Sequence, residues 1–208
     1  MTYVPDAFRV QELEAQHRLI QDHNFGMLIA SGTDGIRVSH LPFLLDTDRG
    51  AFGHLCCHVA KANPIWRGIE AGPLLAVFSG PHAYISPDWY ANPNLVPTWN
   101  YTAAYVHGEA RLMEGEALDT LLSDLTNAEE ALITNKQPWS VEAVSQSTFA
   151  SMRQAIVGID IAITSIDGKA KVGQNRREDD RAGAIQGLQG LGTPDGLAVA
   201  ALMGAVEA

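Results

Sequence analysis

The sequence predicts an α+β protein, a compact barrel of mainly antiparallel strands with helices inserted and appended, formed as a single domain over all 208 residues. Three observations predict it. Short apolar runs in the first third are separated by the turn signals Gly32-Thr33-Asp34-Gly35 and Asp46-Thr47-Asp48-Arg49-Gly50, as in successive hairpins. Ile159, Ile161 and Ile163 alternate with Asp160, Ala162 and Thr164, so a late strand has one apolar face. Strands and helices do not alternate regularly, as a doubly wound parallel sheet would require.

Taken in order, residues 6–23 place Phe8, Leu13, Leu19 and Ile20 on one helical face with Asp6 as the N-cap. Residues 24–59 hold three strands and two hairpins. Asn63-Pro64 opens a helical turn, because proline suits the first helical position. Residues 73–87 read as a strand bent at Gly80-Pro81, and residues 102–113 as another strand. Between them lies a proline-rich loop carrying Trp89, Tyr90, Trp99 and Tyr101. Leu118, Leu121, Leu122 and Leu125 mark an amphipathic helix. A short helix then leads into the strand of alternating isoleucines. Two helices close the chain, the second with Thr193 as N-cap and Pro194 at its first position.

Charge narrows the function. A net charge of −10 and a pI near 5.0 disfavour a broad grip on nucleic acid or anionic membrane. No basic recognition helix, P-loop or G-x-S-x-G elbow is present. The glycines of residues 187–192 have the wrong spacing for a dinucleotide loop and follow no strand. The start lacks a basic segment followed by an apolar one, and no apolar run approaches the ~20 residues of a membrane span. The two cysteines, Cys56 and Cys57, are adjacent, a spacing that rarely closes a disulfide. A cytoplasmic protein is expected.

Four groups carry candidate chemistry. His54, Cys56 and His58 fall on one face of a strand and could ligate zinc or haem, but no fourth ligand accompanies them, so no metal site is expected. The turn after His58, with Lys61, Asn63 and Pro64, sets helix-start amides beside a cation and suits a phosphate; a plain surface lysine next to a cap is the competing reading. Trp89, Tyr90, Trp99 and Tyr101 are either a subunit anchor or the wall of a flat ligand. Lys169 and Lys171 share a strand face ahead of Gln174 and Asn175, whose amides can bond a heterocycle.

The segments HVAKANPIW, FSGPHAYISPDWY, VPTWNY and GKAKVGQNRREDDRAGAIQGL occur in an order that resembles the PaiB family, described as FMN-binding negative transcriptional regulators. The resemblance runs from about Met1 to Leu188. It implies a split β-barrel of the FMN-binding type, a homodimer, and FMN at the subunit interface. It further implies that Ser39, His40, Leu41 and Pro42 lie along the flavin ring through backbone contacts. His58, Val59, Ala60, Lys61 and Asn63 would receive the phosphate, and Trp99, Asn100, Gln174 and Asn175 would close the site, from either subunit. Two departures weaken tight cofactor binding. Lys61 stands where the family pattern has arginine, which loses bidentate phosphate contact, and Cys57 stands where a small residue is expected.

Three functions follow: an FMN-binding regulator for which direct DNA contact is doubtful, an FMN-dependent oxidoreductase of unidentified substrate, and a haem-binding split barrel using His54 or His58. Catalysis is left open. His58 and Tyr90 are the candidate acid–base groups, and no residue identifies a substrate.

Overall fold

In the computed structural model, residues 2–32 and 35–206 are described. The chain folds as two compact units. One, here the hairpin unit, comprises His23–Phe78 and Val106–Ile166; the other, the terminal unit, comprises Met1–Asp22, Ser79–Tyr105 and Asp167–Ala208.

In the hairpin unit β2 (Phe25–Gly32) and β3 (Gly35–Pro42) pair antiparallel from Phe25↔Pro42 to Gly32↔Gly35. The anticipated turn residues Thr33 and Asp34 lie outside the described residues. The second apolar run was expected to be one strand, but it breaks at Phe43. The Phe43 N–H donates to the Asn24 carbonyl at 2.9 Å, and its buried ring meets Phe78 edge-on at 5.2 Å. Anchoring that large ring ends β3, and the chain restarts as β4 (Leu44–Asp46) against β5 (His54–Ala60).

The other edge of β5 pairs with β8 (Ile156–Lys171), from His54↔Ala162 to Ala60↔Ile156. β2 also pairs with β6 (Leu74–Ile85). The amphipathic α2 (Gly115–Ala131) buries Leu118, Leu121 and Leu125 against Cys56, Leu44, Met113 and Ile156, as their spacing on one face predicts. α3 (Gln146–Gln154) starts at Ser145, whose hydroxyl accepts from the Thr148 N–H at 3.2 Å. With β7 spanning Thr98–Met113, the sheet order is β3-β2-β6-β7-β8-β5-β4, and β1 (Arg9–Val10) lies on β8. The described pairings are antiparallel.

In the terminal unit the first helix starts later than predicted. Asp6 heads a short 3₁₀ turn without a side-chain cap, and β1 then pairs with Lys169 and Gly168. An ion pair of Arg9 with Asp167 at 2.9 Å holds that pairing, so α1 (Leu13–Asp22) begins only afterwards. Trp99 and Tyr101 also differ from expectation. They belong to β7 rather than to the proline-rich loop, because pairing continues as soon as Pro97 has passed.

α4 (Glu178–Leu191) and α5 (Pro194–Gly204) close the unit, and the predicted Thr193 cap accepts from the Gly196 N–H at 3.2 Å. Their core joins Ala184, Leu188, Val199 and Met203 to Ile85, Tyr90 and Val172. Trp89 lies directly on α4. A Cβ at Gly187 would stand 2.2 Å from its ring, and one at Gly183 2.0 Å from its carbonyl oxygen. Gly187, the first of the glycines that mimic a dinucleotide loop, is thus, with Gly183, a seat for Trp89.

Gly187→Ala is expected to destabilise the protein by about 1–3 kcal/mol through overpacking. Gly190 is the control, because a Cβ added there would meet nothing within 4 Å. Gly190→Ala should stabilise by about 0.5–1 kcal/mol from helix propensity. Urea unfolding midpoints of the two variants check both signs.

Candidate functional site

Within the hairpin unit the structure brings the β3 segment and the turn after β5 together. Asn63 does two things at once. Its Oδ1 accepts from the Ile65 N–H at 3.0 Å, capping the 3₁₀ turn Pro64–Trp66, and its Nδ2 donates to the Ser39 hydroxyl at 2.8 Å. Arg37 reinforces the junction by donating to the carbonyls of Pro64 at 3.0 Å and Arg67 at 2.9 Å. β3 ends the sheet order, so among the described residues no strand pairs its outer edge along Ser39–Pro42. His40 is exposed and stacks on Phe25 at 6.3 Å, whereas Leu41 is buried.

Lys61 is exposed, and its main chain is fixed on both sides. Its N–H donates to Ala155 O at 2.8 Å, and its carbonyl accepts from Trp66 Nε1 at 3.1 Å. Among the described residues its ammonium forms no ion pair. Val59 points inward and is buried, while Ala60 is exposed.

The histidines of β5 part company. Asp160, opposite Cys56 in the β5–β8 register, accepts from Arg49 Nη2 at 2.8 Å and Nη1 at 3.2 Å, from Cys56 Sγ at 3.4 Å, and lies 3.0 Å from His54 Nδ1. Burial opposes ionisation of Asp160, but the bonds from Arg49 and His54 outweigh it and hold the carboxyl below its ordinary range. His54 and Cys56 are therefore taken up in an ion-pair network, and the described residues contain no cluster of three metal-binding side chains. His58 stands apart, with Nδ1 buried and unpartnered. Burial pushes its pKa down, so the ring is neutral.

Both thiols are pushed up. Burial, reinforced by Asp160, takes Cys56 to about 12, and burial raises Cys57 as well. Asp160 was missed as a site residue in the sequence, although a lone acid between Ile159 and Ile161 was the available signal.

Within the terminal unit, Trp99 is 54% exposed and meets Tyr84 edge-on at 6.0 Å and His82 at 6.1 Å. These residues line a cavity of about 470 Å³ with Leu191 and Pro194. Asn100 is buried and donates to the Met203 sulfur at 3.3 Å. Gln174 uses both ends of its amide on its own loop, accepting from Val172 N–H at 2.8 Å and donating to Ala170 O at 2.6 Å. Asn100 and Asn175 line a separate cavity of about 240 Å³. Trp99 thus faces one cavity, the two asparagines share another, and Gln174 shapes the loop that carries Asn175.

Two outcomes follow from the titrating groups. The folded-state pKa of His58 lies below its ordinary 6.5, so the unfolded chain binds the proton more readily. Its contribution to stability is whole above pH 6.5 and falls as the pH drops toward the folded value. The melting temperature should decline between pH 7.5 and 5.5, and His58→Gln should flatten that decline. Separately, a thiol reagent at pH 8 should label Cys56 and Cys57 slowly in native protein and rapidly in urea.

The family model described as "Putative FMN-binding domain" matches residues 2–165. Protease synthase and sporulation protein PAI 2 of Bacillus subtilis is 33% identical over 202 residues, spanning 97% of this chain and 96% of that protein. Uncharacterized protein AN0679 of Emericella nidulans is 30% identical over 235 residues, spanning 92% and 94%. Among solved structures, the FAD and Heme binding protein from Mycobacterium smegmatis has a TM-score of 0.58 at 13% identity, over 79% of this chain and 74% of that one. The Flavocytochrome Anf3 from Azotobacter vinelandii has a TM-score of 0.56 at 14% identity, over 83% and 74%. At such identities the structures establish the fold, the α+β split barrel. On the family match and on a relative sharing nearly its whole length, the chain belongs to the PaiB family of FMN-binding proteins, with FMN as its cofactor.

Proposed function

We propose that the protein is a homodimer that holds FMN at the subunit interface and acts as a PaiB-type negative regulator in the cytoplasm. The observation that carries the cofactor site is the Asn63–Ser39 hydrogen bond at 2.8 Å. It fixes the open backbone edge of Ser39, His40, Leu41 and Pro42 beside a turn whose Lys61 cation has no ion-pair partner among the described residues. A carbonyl- and nitrogen-edged ring suits the former, and a phosphate suits the latter. The residues present therefore fit FMN.

In this reading Lys61 and the turn from His58 through Val59 and Ala60 to Asn63 hold the phosphate. Trp99, Asn100, Gln174 and Asn175 belong to the terminal unit, where Trp99 lines one cavity, Asn100 and Asn175 another, and Gln174 braces its own loop, so the cofactor reading rests on the hairpin-unit residues. The exposed Trp99 and Tyr84 are the dimer anchor. Bound FMN supplies hydride or single-electron chemistry. The chain positions it, and the neutral His58 adds no charge beside it.

A chain of net charge −10 is a poor direct DNA binder, so regulation runs through a partner or a metabolite. Two free, buried, adjacent thiols suit a reducing compartment. No described helix is long and apolar enough to cross a membrane.

The test is an absorption spectrum of the purified protein mixed with FMN and passed through gel filtration. A flavin spectrum on a dimer-sized peak is expected. Lys61→Ala should weaken FMN binding roughly 10- to 150-fold, the worth of one charge-assisted bond of ~1.5–3 kcal/mol. Trp99→Ala should weaken both FMN retention and dimerisation. A colourless peak that takes up no FMN would sink the proposed site. Steady NAD(P)H turnover by the loaded protein would favour the oxidoreductase reading, and a Soret band after adding haem would favour the third.

A further inference from the structure

The 240 Å³ cavity of the terminal unit has a composition that the cofactor reading leaves unexplained. Its walls carry Lys171, Arg176 and Arg181, together with Asn100, Asn175 and Tyr90, and no carboxylate of the described residues lines it. The chain has 24 acidic and 14 basic side chains, so cations have carboxylates to spare. Yet among the described residues none of these three forms an ion pair.

The acids at the start of α4 are engaged elsewhere or turned outward. Asp179 pairs with Arg177 at 2.7 Å, Asp180 accepts from the Asn92 N–H at 2.8 Å, and Glu178 is exposed. Among the described residues Lys171 donates to the neutral Thr98 hydroxyl alone, and Arg176 lies over the Tyr90 ring at 5.4 Å.

Local structure brings the three cations together. Lys171 ends β8, the chain turns at Gly173 with φ of 77°, and Arg176 follows. Arg181 then arrives on the first turn of α4. The Gln174 amide locks the turn from within. Burial, with the cations of Lys169 and Arg176 nearby, pushes the Lys171 pKa down, which fits an ammonium lacking a counter-charge. Asn100 adds an independent sign. Only 3% exposed, it donates to a thioether, a weak partner for a buried amide.

We propose that this cavity binds a small oxyanion, a carboxylate or a phosphate group, held by Lys171, Arg176 and Arg181 with the amides of Asn100 and Asn175. Its volume matches about eight liquid waters, which suits a small acid and excludes a flavin. The site is complete within the terminal unit, so anion binding does not depend on the cofactor reading.

The test is calorimetric titration of the full-length protein, FMN-loaded and FMN-free, with inorganic phosphate and with succinate at pH 7. Saturable binding of at least one probe to both forms is expected. It should weaken about tenfold or more in Lys171→Met and in Arg181→Gln, and stay unchanged in Arg177→Gln, whose charge lies outside the cavity. Circular dichroism identifies any variant that misfolds, and Arg181→Gln, on a helix surface, then carries the reading without Lys171→Met. Absence of saturable binding, or binding indifferent to both substitutions, overturns the proposal. So does binding that FMN loading abolishes, because the cavity would then be the seat of the cofactor's own phosphate. If the protein takes up no FMN at all, the FMN-free arm still decides the anion site, so the two failures remain separate.

Discussion

The pairing of β5 with β8 is the constraint on which the hairpin unit depends. From His54↔Ala162 to Ala60↔Ile156 the register is continuous, and a slip of one residue would turn β8 over relative to β5. Ile159 would leave the core that Cys57 occupies, and Asp160 would lose Arg49 and His54. The register also fixes where β5 ends, and hence where the turn bearing Lys61 and Asn63 begins. Site geometry here is therefore a by-product of strand pairing, reinforced by a few side-chain bonds.

Asp160 shows how a charge survives half-buried in such a sheet. Its oxygens receive donors from Arg49, His54 and Cys56, so desolvation is offset by charge-assisted bonds. The same network settles the chemistry of its neighbours. His54 is committed to the carboxylate and Cys56 is held as a thiol, which removes from consideration the ligand triad that the alternation on β5 suggested. Of those three β5 side chains, His58 keeps a buried Nδ1 without a hydrogen-bond partner among the described residues.

Much of the fold was legible because its determinants are local. Alternation marked β8, the spacing of Leu118, Leu121 and Leu125 marked α2, and Asn63-Pro64 and Thr193-Pro194 announced their helical turns by cap chemistry. The failures share a different cause. Asp6 looked like a cap, but Arg9 and Val10 are claimed by residues more than 150 positions away. Phe43 looked like mid-strand until Phe78 fixed its ring. The Trp99 segment looked like loop because prolines precede it, whereas strand partners decide it. At the candidate site the turn and β3 were legible through motif order, and the bond between Asn63 and Ser39 was not. The cationic cavity was invisible for the same reason: Arg176 and Arg181 acquire meaning only once β8 and α4 converge.

The seating of Trp89 on α4 has one more consequence. With Gly183, Gly187 and Gly190 inside 14 residues, α4 is a weak helix by propensity, and an isolated segment of that length is marginal in any case. Its order is borrowed from the indole that covers it. Helix and loop must then form and fray as one cooperative element, so that loosening the segment around Trp89 would also withdraw Arg181 from its cavity. A loop with no charge of its own at Trp89 would in that way act as the latch on an electrostatic site.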